Sequence, residues 1–244
     1  MGKIDRKSIK VLWVSLVKFP PLCEHLGETI PAHCGWMYSS AKALLRMMPE
    51  VRLGVMVYSY GRSYERYEID GVTYYLIPTG RIDRTSKKQI ETCRRAIRDF
   101  APDLMHIHGT EHSLAKAACV ANENGTRMVA NIQGLAGPYM RYADGGLSLW
   151  NKWTNITPLD FYRGTFLLNA KRNFKHRAEC ENYVLTYITD IVGRTQWDCD
   201  HVMTVNPRLR YHFMNETLRD SFYEVPRWNY AQCKKHTIFV SNSG

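Results

Sequence analysis

Nowhere does this chain of 244 residues carry the roughly 18 consecutive apolar residues that a membrane-spanning helix needs. Nor does the N-terminal stretch read as a secretory leader. Met1–Lys7 is charged and leads into Ile9–Leu16, a short run that contains Lys10 and has no cleavage-like tail. That run reads as a first strand, not a signal peptide. Paired cysteines are lacking too. The seven (23, 34, 93, 119, 180, 199, 233) are odd in number and scattered, and no two fall at metal-ligand spacing. They predict reduced thiols in a cytoplasmic protein and no metal site. No internal repeat and no low-complexity segment breaks the chain. Acidic residues are the scarcer charge, 23 against 33 Lys and Arg, for a net charge of +10. Such a balance points to an anionic partner: nucleotide phosphate, lipid headgroup or nucleic acid.

What remains is ordinary globular material. The apolar fraction of 45% can build a sizeable core, and the length suits one large domain or one and a fraction. The organising stretch is 102–142. Leu104–His108 is a short apolar run introduced by Pro102-Asp103 and broken at Gly109-Thr110-Glu111-His112. A small-residue helix follows through Ala121 and stops at Gly125. Arg127–Ile132 is a second apolar run, broken at Gln133-Gly134. Strand, polar loop, helix, strand and polar loop in that order predict a parallel pair with a crossover helix. Both polar loops then lie at the carboxyl ends of neighbouring strands, where open α/β sheets place their ligands.

Around this core the chain predicts more of the same. The run Val17–Cys34, with Pro20-Pro21, Gly27 and Pro31, reads as a long irregular loop. Gly35 opens a helix over Trp36–Met48. A glycine there lets backbone amides approach a phosphate, and a plain helix-entry glycine explains it equally well. Val51–Ser59 is a strand. Tyr67–Ile69 and Val72–Ile77 flank Asp70-Gly71, a hairpin signal. Arg84–Phe100 is an amphipathic helix with Ile90, Cys93, Ile97 and Phe100 inward. From Gly137 aromatic and basic residues interleave; between Arg141 and Arg177 there are seven Lys or Arg against two acids. Leu167–Thr189 is predicted helical, Asp190–Thr195 is a strand ending in a polar turn, Gln196–Met203 a helix, and Tyr211–Met214 the last strand. Trp228–His236 reads as a linker. Thr237–Val240 begins a new strand, followed by a glycine loop.

The order of these motifs resembles the GT-B-fold glycosyltransferases of the large group 1 (family 4) class, retaining enzymes that use nucleotide-sugars. The residues that carry the likeness are Pro102–Gly109, Ile132–Leu135, Asp190–Thr195 and Thr237–Val240. It covers nearly the whole chain, but only the family's acceptor-side half. The resemblance implies an open, mainly parallel Rossmann-like α/β sheet with helices on both faces, one half of a GT-B fold. Residues 1–227 would form the acceptor-binding domain, 228–236 the linker, and 237–244 the first strand of a donor-binding domain. The chain alone would then be an inactive half of a transferase that moves a sugar from a nucleotide-sugar to a saccharide or lipid-linked acceptor. No cofactor or metal is expected beyond that donor substrate.

The resemblance also assigns sites. Gln133, Glu111 and His108 are the candidates for chemistry. Gly35, Trp36, Gly109, Thr110, His112, Gly134, Arg141, Arg194 and Thr195 are candidates for substrate contact. The family often has Gly-Gly in its first loop, where Cys34-Gly35-Trp36 stands here, and often a histidine where Gln133 stands. Glutamine can hydrogen-bond a hydroxyl but cannot shuttle a proton near neutral pH. Plainer readings stand beside these. His106 and His108 alternate with Ile107 on a buried strand. Glu111 complements the dipole of the helix it opens. Arg194 could merely cap its strand. The basic-aromatic stretch 139–177 suits an anionic membrane surface, which would put the protein at the inner face of the membrane. It equally suits a solvated helix face over an aromatic core, and no nucleic-acid recognition module is visible. Two other functions share the pattern: a nucleotide-sugar epimerase, or a non-enzymatic basic module. The transferase expectation is checked by reading the gene beyond Gly244. A second Rossmann-like domain with a Glu-rich donor motif should follow; a stop codon or an unrelated domain there removes it.

Overall fold

The computed structural model describes residues 8–31, 34–80, 84–163, 170–218 and 220–238. Its frame is one eight-stranded sheet. In chain order the strands are β1 (Ile9–Ser15), β2 (Val51–Ser59), β3 (Glu65–Ile69), β4 (Val72–Pro78), β5 (Leu104–His108), β6 (Arg127–Asn131), β7 (Asp190–Gly193) and β8 (Arg210–Phe213). Across the sheet they run β3-β4-β2-β1-β5-β6-β7-β8. Only β3 is antiparallel to its neighbour; the others pair in parallel. The order reverses at β1, which has β2 on one side and β5 on the other.

Helices occupy the crossovers: α1 (Pro20–Leu26) and α2 (Gly35–Met47) after β1, α3 (Lys87–Phe100) after β4, and α4 (Ser113–Ala121) after β5. Four more, α5 (Ala136–Tyr142), α6 (Leu149–Thr154), α7 (Pro158–Arg163) and α8 (Ala170–Tyr187), lie between β6 and β7. After β7 comes α9 (Gln196–Val205), and after β8 the short α10 (Ser221–Glu224).

Strand alternation explains why helices cover both faces. In β1, Leu12 and Val14 face one core with Met56, Tyr75, Met105 and Ile107, roofed by residues of α3, α4 and α8. Val11 and Trp13 face the other core with Leu53, Val55 and Tyr74, roofed by α1 and α2. The Rossmann-like α/β expectation is thus the fold found. Asp70 and Gly71 both take positive φ, 51° and 74°, which is the geometry of the Asp-Gly hairpin turn. All seven cysteines are free thiols. No helix among the described residues is long and apolar enough to cross a membrane.

The structure differs from the sequence reading in particular places. The predicted loop 17–34 contains α1. Its prolines sit in the first turn, where a missing N–H costs nothing, and Gly27 at φ 67° ends it. Proline there marked a helix start, not a loop. The helix read from Arg84 begins at Lys87, because Ser86 accepts the Gln89 N–H and fixes the cap. Helices α5, α6 and α7 went unread; they are too short to show a period. Part of the helix predicted from Leu167, and half of the strand predicted over 237–240, lie outside the described residues.

One glycine is required by packing. A Cβ on Gly54 of β2 would lie 2.8 Å from Phe100 and 2.9 Å from Leu12, two side chains of the same core. Gly54→Ala should therefore cost about 1–3 kcal/mol in urea unfolding by overpacking. A variant as stable as the parent would show that α3 does not bear on the strand this closely.

Candidate functional site

The parallel register brings four turns to one edge. His108 is paired with Asn131, and Asn131 with Val192. The turn after β5 is locked further by the Gly109 N–H, which donates to the Asn131 carbonyl at 3.0 Å. Glu111, Gln133 and Arg194 therefore leave neighbouring strands at the same edge, beside the turn after β1. That edge is the carboxyl end of the sheet at its reversal point, where such sheets bind ligands.

Gly109 shapes the β5 turn. Its φ is +88°, and a Cβ there would lie 3.2 Å from a Glu111 carboxylate oxygen and 3.3 Å from the His112 ring. His112 is committed to the fold. Its Nδ1 accepts the Ala115 N–H at 3.0 Å as N-cap of α4. Its Nε2 sits 3.1 Å from the His108 carbonyl, so Nε2–H donates and Nδ1 accepts. Thr110 is fully buried, and its hydroxyl has no partner among the described residues. Glu111 is half-buried, as is Gln133 on the next turn. One Glu111 oxygen and the Gln133 amide nitrogen have no hydrogen-bond partner among the described residues. With the Thr110 hydroxyl and the Asn131 amide oxygen, they are among the buried polar atoms at this edge without a partner among the described residues.

The third residue expected to do chemistry is placed differently. His108 is buried on the α2 side of the sheet, between Trp13 and His106, with ring centroids at 4.4 and 4.1 Å. Burial holds it well below the usual imidazole range, helped by His106 and His112 and opposed by Asn131. Burial alone takes His106 down to about 4. These imidazoles line a cavity of about 420 Å³ with Val11, Trp13, Trp36 and Asn131. A larger space of about 610 Å³ lies away from the turns, between α2 and Thr217–Glu224.

The remaining candidates divide similarly. Gly35 is the first residue of α2, and no side chain caps that helix. Trp36 is half-buried, with its ring 6.2 Å from His108. Thr195 caps α9 in a reciprocal box with Asp198. Arg194 pairs with Glu216 at 2.8 Å. Arg141 is exposed in the last turn of α5. Gly134 has the Tyr139 ring 3.4 Å from where its Cβ would be.

Sequence reasoning missed Glu181. It is fully buried on α8, and its two oxygens accept the Ala136 and Gly137 N–H groups at 2.8 and 3.0 Å. A carboxylate thus caps α5 where the chain leaves the Gln133 turn. Burial raises its pKa; the two amides and His201 pull the other way, and Glu111 adds to the rise. The signal was a lone acid among Cys180, Val184 and Leu185 on the buried face of a long helix.

The buried His108 and His112 and the half-buried His106 set a pH dependence. Unfolded, they titrate near 6.5; folded, all are lowered, His106 to about 4. The unfolded chain binds more protons in between, so stability is present above about pH 6.5 and is lost as pH falls toward about 4. Each imidazole contributes up to about 1.4 kcal/mol per pH unit. Urea unfolding at about pH 7 and about pH 5 should show the loss, reduced in His106→Gln; equal stability at the two values would contradict it.

No family model matches the chain, and no curated protein matches it. Solved structures do. Sucrose-phosphate synthase from Thermosynechococcus elongatus aligns with a TM-score of 0.51 at 8% identity, over 84% of this chain and 47% of that one. UGT71G1 from Medicago truncatula, solved with UDP-glucose, aligns at 0.47 and 8% identity, over 88% of this chain and 53% of that one. A UDP-forming α,α-trehalose-phosphate synthase from Burkholderia xenovorans, solved with glucose-6-phosphate, aligns at 0.39 and 11% identity, over 81% and 44%. The chain spans about half the length of these proteins, and at such identities the likeness is one of fold.

Proposed function

We propose that this chain is the acceptor-side half of a GT-B glycosyltransferase that moves a sugar, with retention, from a nucleotide-sugar to a saccharide or lipid-linked acceptor. Residues 1–227 form this half, 228–236 link it to a donor-binding half beginning at 237, and the half is inactive alone. The observation that carries the reading is the convergence of Glu111, Gln133 and Gly134 at one sheet edge beside the reversal strand. The fold that presents them aligns with about half of sucrose-phosphate synthase.

The chemistry follows from what each group can do. Retaining transfer passes through an oxocarbenium-like state. It asks for a positioned acceptor hydroxyl and a stabilised leaving diphosphate more than for an enzymic nucleophile. Glu111 accepts a hydrogen bond from a neighbouring hydroxyl of the acceptor and so holds the attacking oxygen in line. Gln133 fixes a sugar hydroxyl through its free amide. The hydroxyl's proton goes to the leaving phosphate oxygen, since Gln133 cannot take it and the His108 ring is buried against Trp13 and His106. The amides at the start of α2, which no side chain caps, face the donor phosphates and favour their charge. His108 and His112 shape the walls, and Arg194, held by Glu216, closes the far side.

The test uses the full-length protein with a panel of nucleotide-sugars and saccharide or lipid-linked acceptors. Glu111→Gln and Gln133→Ala should each lower kcat by roughly tenfold to a thousandfold, with Tm nearly unchanged. Loss of folding would return these side chains to a structural role. Turnover at parental rates in both variants would overturn the assignment.

A further inference from the structure

Helix α6 is amphipathic the wrong way round for a free surface. Its polar Lys152 points inward with 11% of its side chain exposed and bonds Asp144 at 2.6 Å. Asp144 is itself buried and takes a second lysine, Lys171, at 3.0 Å. These cations hold the carboxyl well below the usual range. The apolar residues of α6 point outward: Leu149 is 74% exposed, Trp150 75% and Trp153 70%. Neighbouring α7 repeats the pattern with Leu159 and with Tyr162 at 90%, and Tyr142 and Leu147 extend the surface. A six-residue helix does not persist on propensity. The Ser148 cap, which accepts the Asn151 N–H, and the buried Asp144 pair fix α6 with its tryptophans outward. An exposed apolar surface of this kind marks a contact site.

We propose that this surface docks on an anionic phospholipid bilayer, with the Leu149, Trp150, Trp153, Leu159 and Tyr162 side chains seated among the headgroups. Charge and composition choose that partner. The acids between Arg141 and Arg177 are Asp144 and Asp160. Asp144 is matched by two lysines, and Asp160 binds the Thr157 amide and hydroxyl. Arg141, Arg172 and Lys175 stay exposed around the aromatics. Tryptophan, tyrosine and leucine framed by cations suit the interface of an anionic membrane. The cations draw the protein to negative lipid, and the rings hold it. The surface belongs to the segment between β6 and β7, which begins with the Gln133 turn. The proposal rests on these faces and not on sugar transfer.

Full-length protein is pelleted with vesicles of phosphatidylcholine containing phosphatidylglycerol, and with phosphatidylcholine alone. Binding should require the anionic lipid and weaken with salt. A Trp150→Ala/Trp153→Ala variant should bind at least about tenfold more weakly, with Tm unchanged because both rings are exposed. Arg172→Glu/Lys175→Glu should weaken binding to anionic vesicles as well. No pelleting of the parent protein, or equal pelleting of the tryptophan variant, overturns the proposal. So does a dimer in sedimentation velocity that the tryptophan variant dissolves while vesicle binding is absent; the face would then belong to a second protein surface.

Discussion

The parallel registration of β1, β5, β6 and β7 is the constraint on which everything else rests. Parallel neighbours must be joined by crossovers, so every turn that follows them emerges at the same edge. The Gly109 amide bonded to the Asn131 carbonyl extends that registration one residue past the strand, into the polar turn. Gly109 can do this because it takes a left-handed φ and has no side chain to meet Glu111 and His112. A shift of β5 by one residue would exchange Met105 and Ile107 with His106 and His108 across the sheet, putting imidazole into one core and leaving aliphatic groups beside Trp13.

A second layer of control comes from buried polar groups used as fasteners. Glu181 reaches from α8 to the start of α5 and so ties the Gln133 turn to the helix packed behind it. His112 does the same for α4, with one ring nitrogen on the helix amide and the other on the strand. Asp144 holds α6 by Lys152 and ties it to α8 by Lys171. Each lies within the segment following β5 or β6, so the polar turns and the aromatic surface are anchored by charge and hydrogen bonds where apolar packing is thin.

The sheet was legible because buried parallel strands are short apolar runs with breakers at their ends, as in Leu104–His108 and Arg127–Ile132. The edge that carries the site was legible for the same reason: chain order alone puts the turns of neighbouring parallel strands together. Side-chain roles within the turns were less so. Thr110, Glu111 and His112 are consecutive and equally polar, yet one is sealed, one is half-buried and one is a cap. That division depends on the φ of Gly109 and on Tyr58, whose hydroxyl lies 3.3 Å from both His112 and Ser113, far away in sequence. Helices α5 to α7 escaped because six or seven residues span under two turns, too few for a period to stand out. A proline pair reads as a breaker by composition alone, but in the first turn of α1 it starts a helix.

Strand β8 is an outer edge, and an unpaired edge invites further strands to add. Its four residues carry Arg210 and His212, and both reach back to Asp190, at 2.7 and 3.0 Å. Arg127 of β6 approaches the same carboxylate at 3.4 Å. A single acidic group thus clips three consecutive strands together while leaving a brief, cationic rim outside. Any foreign strand attempting to extend the ladder there would find an edge only four residues long among the described residues. The device that fastens the margin of the sheet therefore also guards the protein against edge-to-edge aggregation.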